Sequence, residues 1–262
     1  MNKPRQIIKY VVADLLSAML AWAGFYIYRK MGIESALYGT NIPFSPDKNF
    51  YLGITVLPIA WVAVYALAGT YNDIYRKSRL REIGQTLYIS LIGVLIIFFS
   101  LLLDDVIVSY KSYYSIFSIL FMLHFGITST FRFMITTYTA RRIKSRKIGF
   151  PTLIIGSSQR AVNLFTEYEN EPLSLGYKFT GFIHVDHNNG KYFGNLLPHL
   201  GGLEDLPRLI DEHRIEEIII AIESSEHDFI GRIINELEDK DVIIKIIPDM
   251  YDILAGTVKM TS

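Results

Sequence analysis

"FPTLIIGSSQRAV", Phe150 to Val162, is the stretch on which the fold turns. Thr152 to Ile155 reads as a short buried strand, and Arg160 to Asn170 as a helix, with Gly156 and two serines between them. A strand that turns into a helix through a glycine brings backbone amides to the positive end of the helix, where a phosphate is stabilised. Gly156 allows the tight turn. Ser157, Ser158, Gln159 and Arg160 are the candidate ligand-binding residues around it, with Arg160 adding a charge. The dinucleotide fingerprint G-x-G-x-x-G is incomplete, because Ser158 stands where its second glycine belongs and Ala161 where its third does. The missing middle glycine hinders close approach of a pyrophosphate to the backbone. Asp186, at the end of the next strand, suits a ribose hydroxyl, although it follows Gly156 by 30 residues where about 20 is usual. The turn fits a small nucleotide-type ligand and equally a purely structural role.

Downstream, the pattern alternates. Lys178 to Val185 reads as a strand, Leu203 to His213 as an amphipathic helix, Glu217 to Ile222 as a strand, Phe229 to Asp239 as a helix and Val242 to Ile247 as a strand, with a loop at Asn188 to Gly190. Strands that are nearly continuous β-branched runs, separated by helices, indicate a parallel sheet covered on both faces. Residues 151–262 are therefore expected to form a small Rossmann-like α/β domain.

Upstream, the chain is of another kind. Half of the 262 residues are hydrophobic, and the mean hydropathy is +0.27, too apolar for an ordinary soluble chain. Four apolar stretches, Ile7 to Tyr28, Phe50 to Gly69, Gln85 to Leu103 and Tyr113 to Tyr138, each reach the length of about 20 residues that a bilayer demands. Residues 1–140 are expected to be a four-helix transmembrane bundle, joined by a basic connector, 141–150, to the α/β domain. Lys3, Arg5 and Lys9, then Arg76, Lys77, Arg79 and Arg81, then Arg141, Arg142, Lys144, Arg146 and Lys147 crowd one side; Arg29, Lys30, Lys48 and Lys111 are the cations on the other. The positive-inside rule then puts both chain ends in the cytoplasm. The first span is too long for the apolar region of a cleavable signal.

The zero net charge is a balance of two opposite halves. Residues 1–150 hold 17 Lys and Arg against 7 Asp and Glu, and residues 151–262 hold 9 against 19, giving +10 and −10. An acidic α/β half disfavours nucleic acid as a partner, whereas a basic apolar half suits anionic headgroups. The chain has no cysteine, which excludes disulfides, thiol catalysis and cysteine-ligated metal.

Within the spans, Asp14 and Arg132 lie at similar depth in the first and last helices and are expected to pair. An intramembrane charge is a functional candidate; a structural ion pair is the preferred reading here. His124 reads as a hydrogen-bonded packing residue. The loop TYNDIYRKSRLRE, Thr70 to Glu82, suits anionic lipid or a phosphorylated substrate, and ordinary flanking charge explains it as well. No Tyr and Lys four apart occur after residue 150, so the acid–base pair of a dehydratase or epimerase is not in evidence, and no phosphate loop of the G-x-x-x-x-G-K-S type occurs. His184, Asp186, His187 and His199 match no metal-binding spacing.

Four helices, a basic connector, this reduced nucleotide fold and the segments GFIHVD (Gly181 to Asp186), LGGLEDLPRLIDEHRIEEIIIAI (Leu200 to Ile222) and IIKIIPDMYDILAGTVKMTS (Ile243 to Ser262) together resemble the large bacterial polyprenyl-phosphate hexose-1-phosphate transferases. The resemblance spans the chain and is most specific from Ile247 to Ser262. It implies an inner-membrane protein whose α/β domain, of the CoA-binding type, is accessory or regulatory, with undecaprenyl phosphate, the lipid bilayer and a nucleotide or UDP-sugar as partners, and it admits a homo-oligomer. It also implies a catalytic module with an Asp-Glu dyad beyond Ser262, so no catalytic residue is carried over. The expected role is the membrane-anchoring, regulatory region of a phosphoglycosyl transferase that initiates exopolysaccharide or O-antigen synthesis. A membrane-bound NAD-dependent sugar-nucleotide dehydratase or epimerase, or an assembly module that binds no nucleotide, are the alternatives.

Overall fold

The computed structural model describes residues 3–40, 43–102, 110–185, 193–222 and 228–247. The chain divides between Arg141 and Arg142 into two compact units. Among the described residues of the first, four helices are long and apolar enough to cross a membrane. Helix α1 (Lys3–Tyr28) continues through a π-helical turn, Arg29–Glu34, into the single turn α2 (Ser35–Tyr38). Helix α3 (Lys48–Leu67) is capped by Asp47, whose carboxylate accepts from the Phe50 amide at 3.0 Å. Helix α4 (Arg79–Ile97) is capped by the Ser78 hydroxyl, which accepts from the Arg81 amide at 3.2 Å. Each cap satisfies an amide that the first helical turn leaves without a partner. Helix α5 (Tyr110–Lys144) outruns its apolar stretch, so that Arg141, Arg142 and Lys144 lie on its last turn.

The bundle is apolar outside and partly polar within. On α1, Ile8, Val12, Leu16 and Leu20 recur every four residues and are exposed, while Gln6, Tyr10, Asp14 and Ser17 are buried. On α5 the buried series is His124, Thr128, Arg132 and Thr136, and on α4 it is Glu82, Thr86 and Ser90. A spacing of four keeps each series on one helix face. Between these stripes and the far end of the bundle, Trp22, Phe25, Trp61, Tyr65, Val94, Ile116 and Leu120 form an aromatic-rich core drawn from all four helices. Two glycines make room for it: a Cβ at Gly53 would overlap the Trp22 indole, and one at Gly93 the Trp61 indole. Lipid is as apolar as these side chains, so their contribution to helix association comes from close packing rather than from escape from water.

The second unit is a five-stranded parallel sheet in the order β3-β2-β1-β4-β5. Its strands are β1 (Phe150–Ile155), β2 (Tyr177–Ile183), β3 (His199–Gly201), β4 (Glu217–Ile220) and β5 (Ile243–Ile246). Alternation along β1 sends Leu153 and Ile155 to one face and Ile154 to the other. The first face packs with α7 (Leu206–His213) and α8 (Asp228–Glu236) through Leu206, Leu209, Ile210 and Ile233, and with Leu237 in the turn after α8. The second packs with α6 (Gln159–Asn170) through Ala161, Val162 and Leu164. Covering both faces is why β4 is buried along its whole length.

Two elements differ from the sequence expectation. The expected helix from Leu203 opens as a 3-10 turn, Leu203–Asp205, and becomes α-helical at Leu206, with Pro207 in its first turn, where a missing amide hydrogen costs nothing. The edge strand β3 was not anticipated, since three residues ending in glycine carry no strand pattern. At the start of the unit, Arg146 holds positive φ and clasps the end of α6, its guanidinium donating to the Glu169 carboxylate at 2.6 Å and to the carbonyls of Tyr168, Glu169 and Glu171. A cation there satisfies carbonyls that the last helical turn leaves unbonded.

Replacing Gly53 by Ala is expected to lower the thermal midpoint of the detergent-solubilised bundle, with a loss of about 1–3 kcal/mol from overpacking against Trp22. Gly84→Ala, where nothing lies within 4 Å of the new Cβ, should not lower it.

Candidate functional site

The turn after β1 sits where the strand order reverses, with β2 on one side of β1 and β4 on the other. In such sheets the crevice at the carboxyl ends of the strands receives the ligand. Gly156 has φ +118°, and a Cβ there would overlap the Ala221 carbonyl oxygen, so only glycine serves. Its amide donates to the Ile183 carbonyl at 2.9 Å, and the Ala221 amide donates to Ile155 at 2.8 Å, which draws the ends of β2, β1 and β4 together. Ser158 occupies the cap position of α6 with extended backbone but makes no side-chain cap bond. Its residue is 3% exposed, and its buried hydroxyl has no hydrogen-bond partner among the described residues. Such an orphaned group is costly unless something occupies it.

The neighbours are placed differently. Ser157 is buried beside Ser158. Gln159 is exposed and donates to Asn163 Oδ1 at 2.9 Å, along its own helix. Arg160 reaches across the carboxyl ends of β4 and β5, donating to the carbonyls of Ile222 at 3.5 Å and Ile247 at 3.1 Å. Asp186 and His187 lie outside the described residues, as does the chain after Ile247. His184 Nδ1 and His199 Nε2 stand 2.6 Å apart at the β2–β3 edge; among the described residues no cluster of three or more metal-ligating side chains forms.

Asp14 and Arg132 meet inside the helix bundle. The guanidinium donates twice to the Asp14 carboxylate, from Nε to Oδ1 and from Nη2 to Oδ2, both at 2.7 Å, and both side chains are fully buried. It also donates to Glu82 Oε1 at 3.2 Å and to Thr70 Oγ1 at 3.4 Å, and it lies 4.0 Å over the Tyr65 ring. Tyr71 donates to Asp14 Oδ2 at 2.7 Å, and Lys77 stands 3.7 Å from Glu82 Oε2. Two anions and two cations thus close a neutral network. Tyr65 passes it on to His124 Nε2 at 3.2 Å, and that imidazole stacks on Trp61 at 3.7 Å. Glu82 escaped the reading of the sequence because it follows four cations and passes for flanking charge. Its signal was the four-residue series it begins with Thr86 and Ser90.

A second constellation was also missed. Lys245 Nζ donates to the buried Glu217 carboxylate at 2.7 Å and to Tyr177 Oη at 3.1 Å, although Tyr177 and Lys245 are 68 residues apart. Tyr177 opens β2 opposite Phe150, so this Tyr–Lys couple belongs to the amino end of the sheet, away from the Gly156 turn. Its geometry matches a structural ion pair rather than an acid–base pair over a ligand at the carboxyl end. Burial opposes the Lys245 charge, but the hydrogen bonds to Glu217 and Tyr177 and the Glu217 charge outweigh it and raise its pKa above the ordinary lysine value.

Residues 70–248 match the family described as a CoA-binding domain. The chain belongs to that family. The family segment starts at Thr70, ahead of α4, and so takes in the last two long apolar helices together with all five strands of the sheet. A crystal structure described as "RSP in complex with beta-NADH" is 12% identical, covers 67% of this chain and 90% of its own, and superposes with a TM-score of 0.31. A likeness of that size carries nothing about ligand or reaction. No curated protein matches the chain.

Asp14→Asn should cost the bundle about 3–5 kcal/mol, since it strips a buried guanidinium of its bidentate partner; the loss is read as a lower midpoint in detergent-titrated unfolding. The raised pKa of Lys245 has a definite sign. Its stabilising contribution is complete below the unfolded lysine pKa of about 10.4 and disappears as pH rises through the higher folded value. Denaturant midpoints of the α/β unit, followed by circular dichroism, are expected to fall on the alkaline side of that range in the native chain and to fall less in Lys245→Met.

Proposed function

We propose that this chain is the membrane-anchoring and regulatory region of a phosphoglycosyl transferase that initiates exopolysaccharide or O-antigen assembly. In that reaction a sugar 1-phosphate passes from a UDP-sugar to undecaprenyl phosphate at the inner membrane. The four apolar helices hold the protein in the bilayer, both ends facing the cytoplasm, and the α/β domain binds a nucleotide that modulates the reaction. The reacting groups belong to other polypeptide, and no residue described above is assigned a catalytic role.

The observation that carries this reading is the Gly156 turn at the switch point of a Rossmann-order sheet, with the buried Ser158 hydroxyl, which has no hydrogen-bond partner among the described residues, at the head of a 12-residue helix. Membership of the CoA-binding domain family supports a nucleotide-type ligand there. The two-sided distribution of charge supports the orientation: the cations of residues 76–81 and 141–147 flank one side of the helices. Arg132 is fully enclosed by partners, which favours anchoring over transport, since a transporter presents charges to a water-filled path.

The test is thermal unfolding of the chain in lipid nanodiscs with UMP, a UDP-sugar, CoA and NADH in turn. A bound nucleotide at a hundred times its Kd stabilises by about 2.7 kcal/mol, so at least one member of the panel should raise the midpoint of the α/β unit in the native chain and not in Gly156→Val. No shift with any of them would leave an anchor without a nucleotide site, and turnover of the UDP-sugar by these residues alone would overturn the assignment of chemistry elsewhere.

A further inference from the structure

We infer that the turn after β1 is a seat for one phosphate group, which takes a nucleoside 5′-monophosphate in preference to a dinucleotide or CoA and so senses the product of the proposed reaction. The inference rests on the nucleotide-binding reading above and narrows it. Three features restrict the seat. The Gly156 amide is committed to the Ile183 carbonyl at 2.9 Å and is withheld from a ligand. Position 158 carries a Cβ where close approach of a pyrophosphate calls for glycine. The Arg160 guanidinium lies across the carbonyls of Ile222 and Ile247, over the strand ends where the second half of an extended ligand would run.

What the seat offers suits a single phosphate. The Ser158 hydroxyl is buried and has no hydrogen-bond partner among the described residues, and it stands at the positive end of α6. Residues 151–262 carry a net charge of −10, so the surrounding field repels anions and affinity must come from short-range contacts.

The chemistry names the ligand class. In net terms, an oxygen of the lipid phosphate bonds to the sugar-bearing phosphorus of the nucleoside diphosphate sugar. The bond from that phosphorus to the bridging oxygen breaks, and the nucleoside monophosphate leaves with the bridging oxygen and its electron pair. A site selective for one phosphate on a nucleoside therefore reads product against substrate.

Equilibrium dialysis of the full chain in nanodiscs against UMP, NAD and CoA tests this. UMP is expected to bind at least about tenfold more tightly than either larger ligand, and inorganic phosphate to displace it. Ser158→Ala should weaken UMP by about tenfold, the worth of one hydrogen bond to a charged group. Ser158→Gly should narrow the preference for UMP by opening room for a pyrophosphate, with circular dichroism verifying that both variants fold. NAD or CoA binding as tightly as UMP, or Ser158→Ala binding UMP like the native chain, overturns the inference and leaves the nucleotide reading standing. Binding of no nucleotide at all overturns both.

Discussion

The helix bundle is organised by one buried guanidinium. Arg132 cannot lose its proton, and in an apolar interior its charge is tolerable only when its donors are met by compensating groups. α1 supplies Asp14, α4 supplies Glu82, α3 supplies the Tyr65 ring, and the segment after α3 supplies Thr70. Each of these contacts has a direction and a height. A one-residue slide or a rotation of any helix would break at least one of them, and in lipid no water would replace it. Apolar packing tolerates exchange of similar shapes, whereas this network admits one arrangement. The aromatic core and the two glycines that accommodate it then fill a geometry that the ion network has already selected.

Much of this architecture is legible in the residues themselves. The apolar runs announce the four helices, and the change from long apolar runs to short β-branched ones after Lys147 announces the sheet. The Asp14–Arg132 pair follows from depth alone, because a helix rises uniformly and only two strongly charged residues sit that far inside the first and last spans. What escapes is whatever depends on distant pairing. Glu82 is hidden in a basic flank until folding turns it inward. Tyr177 and Lys245 become neighbours only because β2 and β5 lie on either side of β1 and β4. The strand β3 exists because Phe182 and Ile183 offer an edge to pair with, and not because His199–Gly201 prefer to be extended.

The α/β unit shows how a nucleotide-type fold can keep its framework while altering its grip. Gly156 is retained for a reason internal to the sheet, since the Ala221 carbonyl leaves no space for a side chain. Ser158 is free of that constraint: its hydroxyl makes no cap bond and, among the described residues, is buried without a hydrogen-bond partner, which works against stability. Stability alone would replace it with alanine. Its presence is understandable if the protein encounters something that the hydroxyl binds.

Both tryptophans of the chain, Trp22 and Trp61, sit in α1 and α3, and Trp61 lies flat against the His124 imidazole. Indole emission therefore reports on the bundle alone, with the sheet spectroscopically dark at those wavelengths. The unfolding of the bundle can therefore be followed by itself in the intact chain, by fluorescence and without introducing any label.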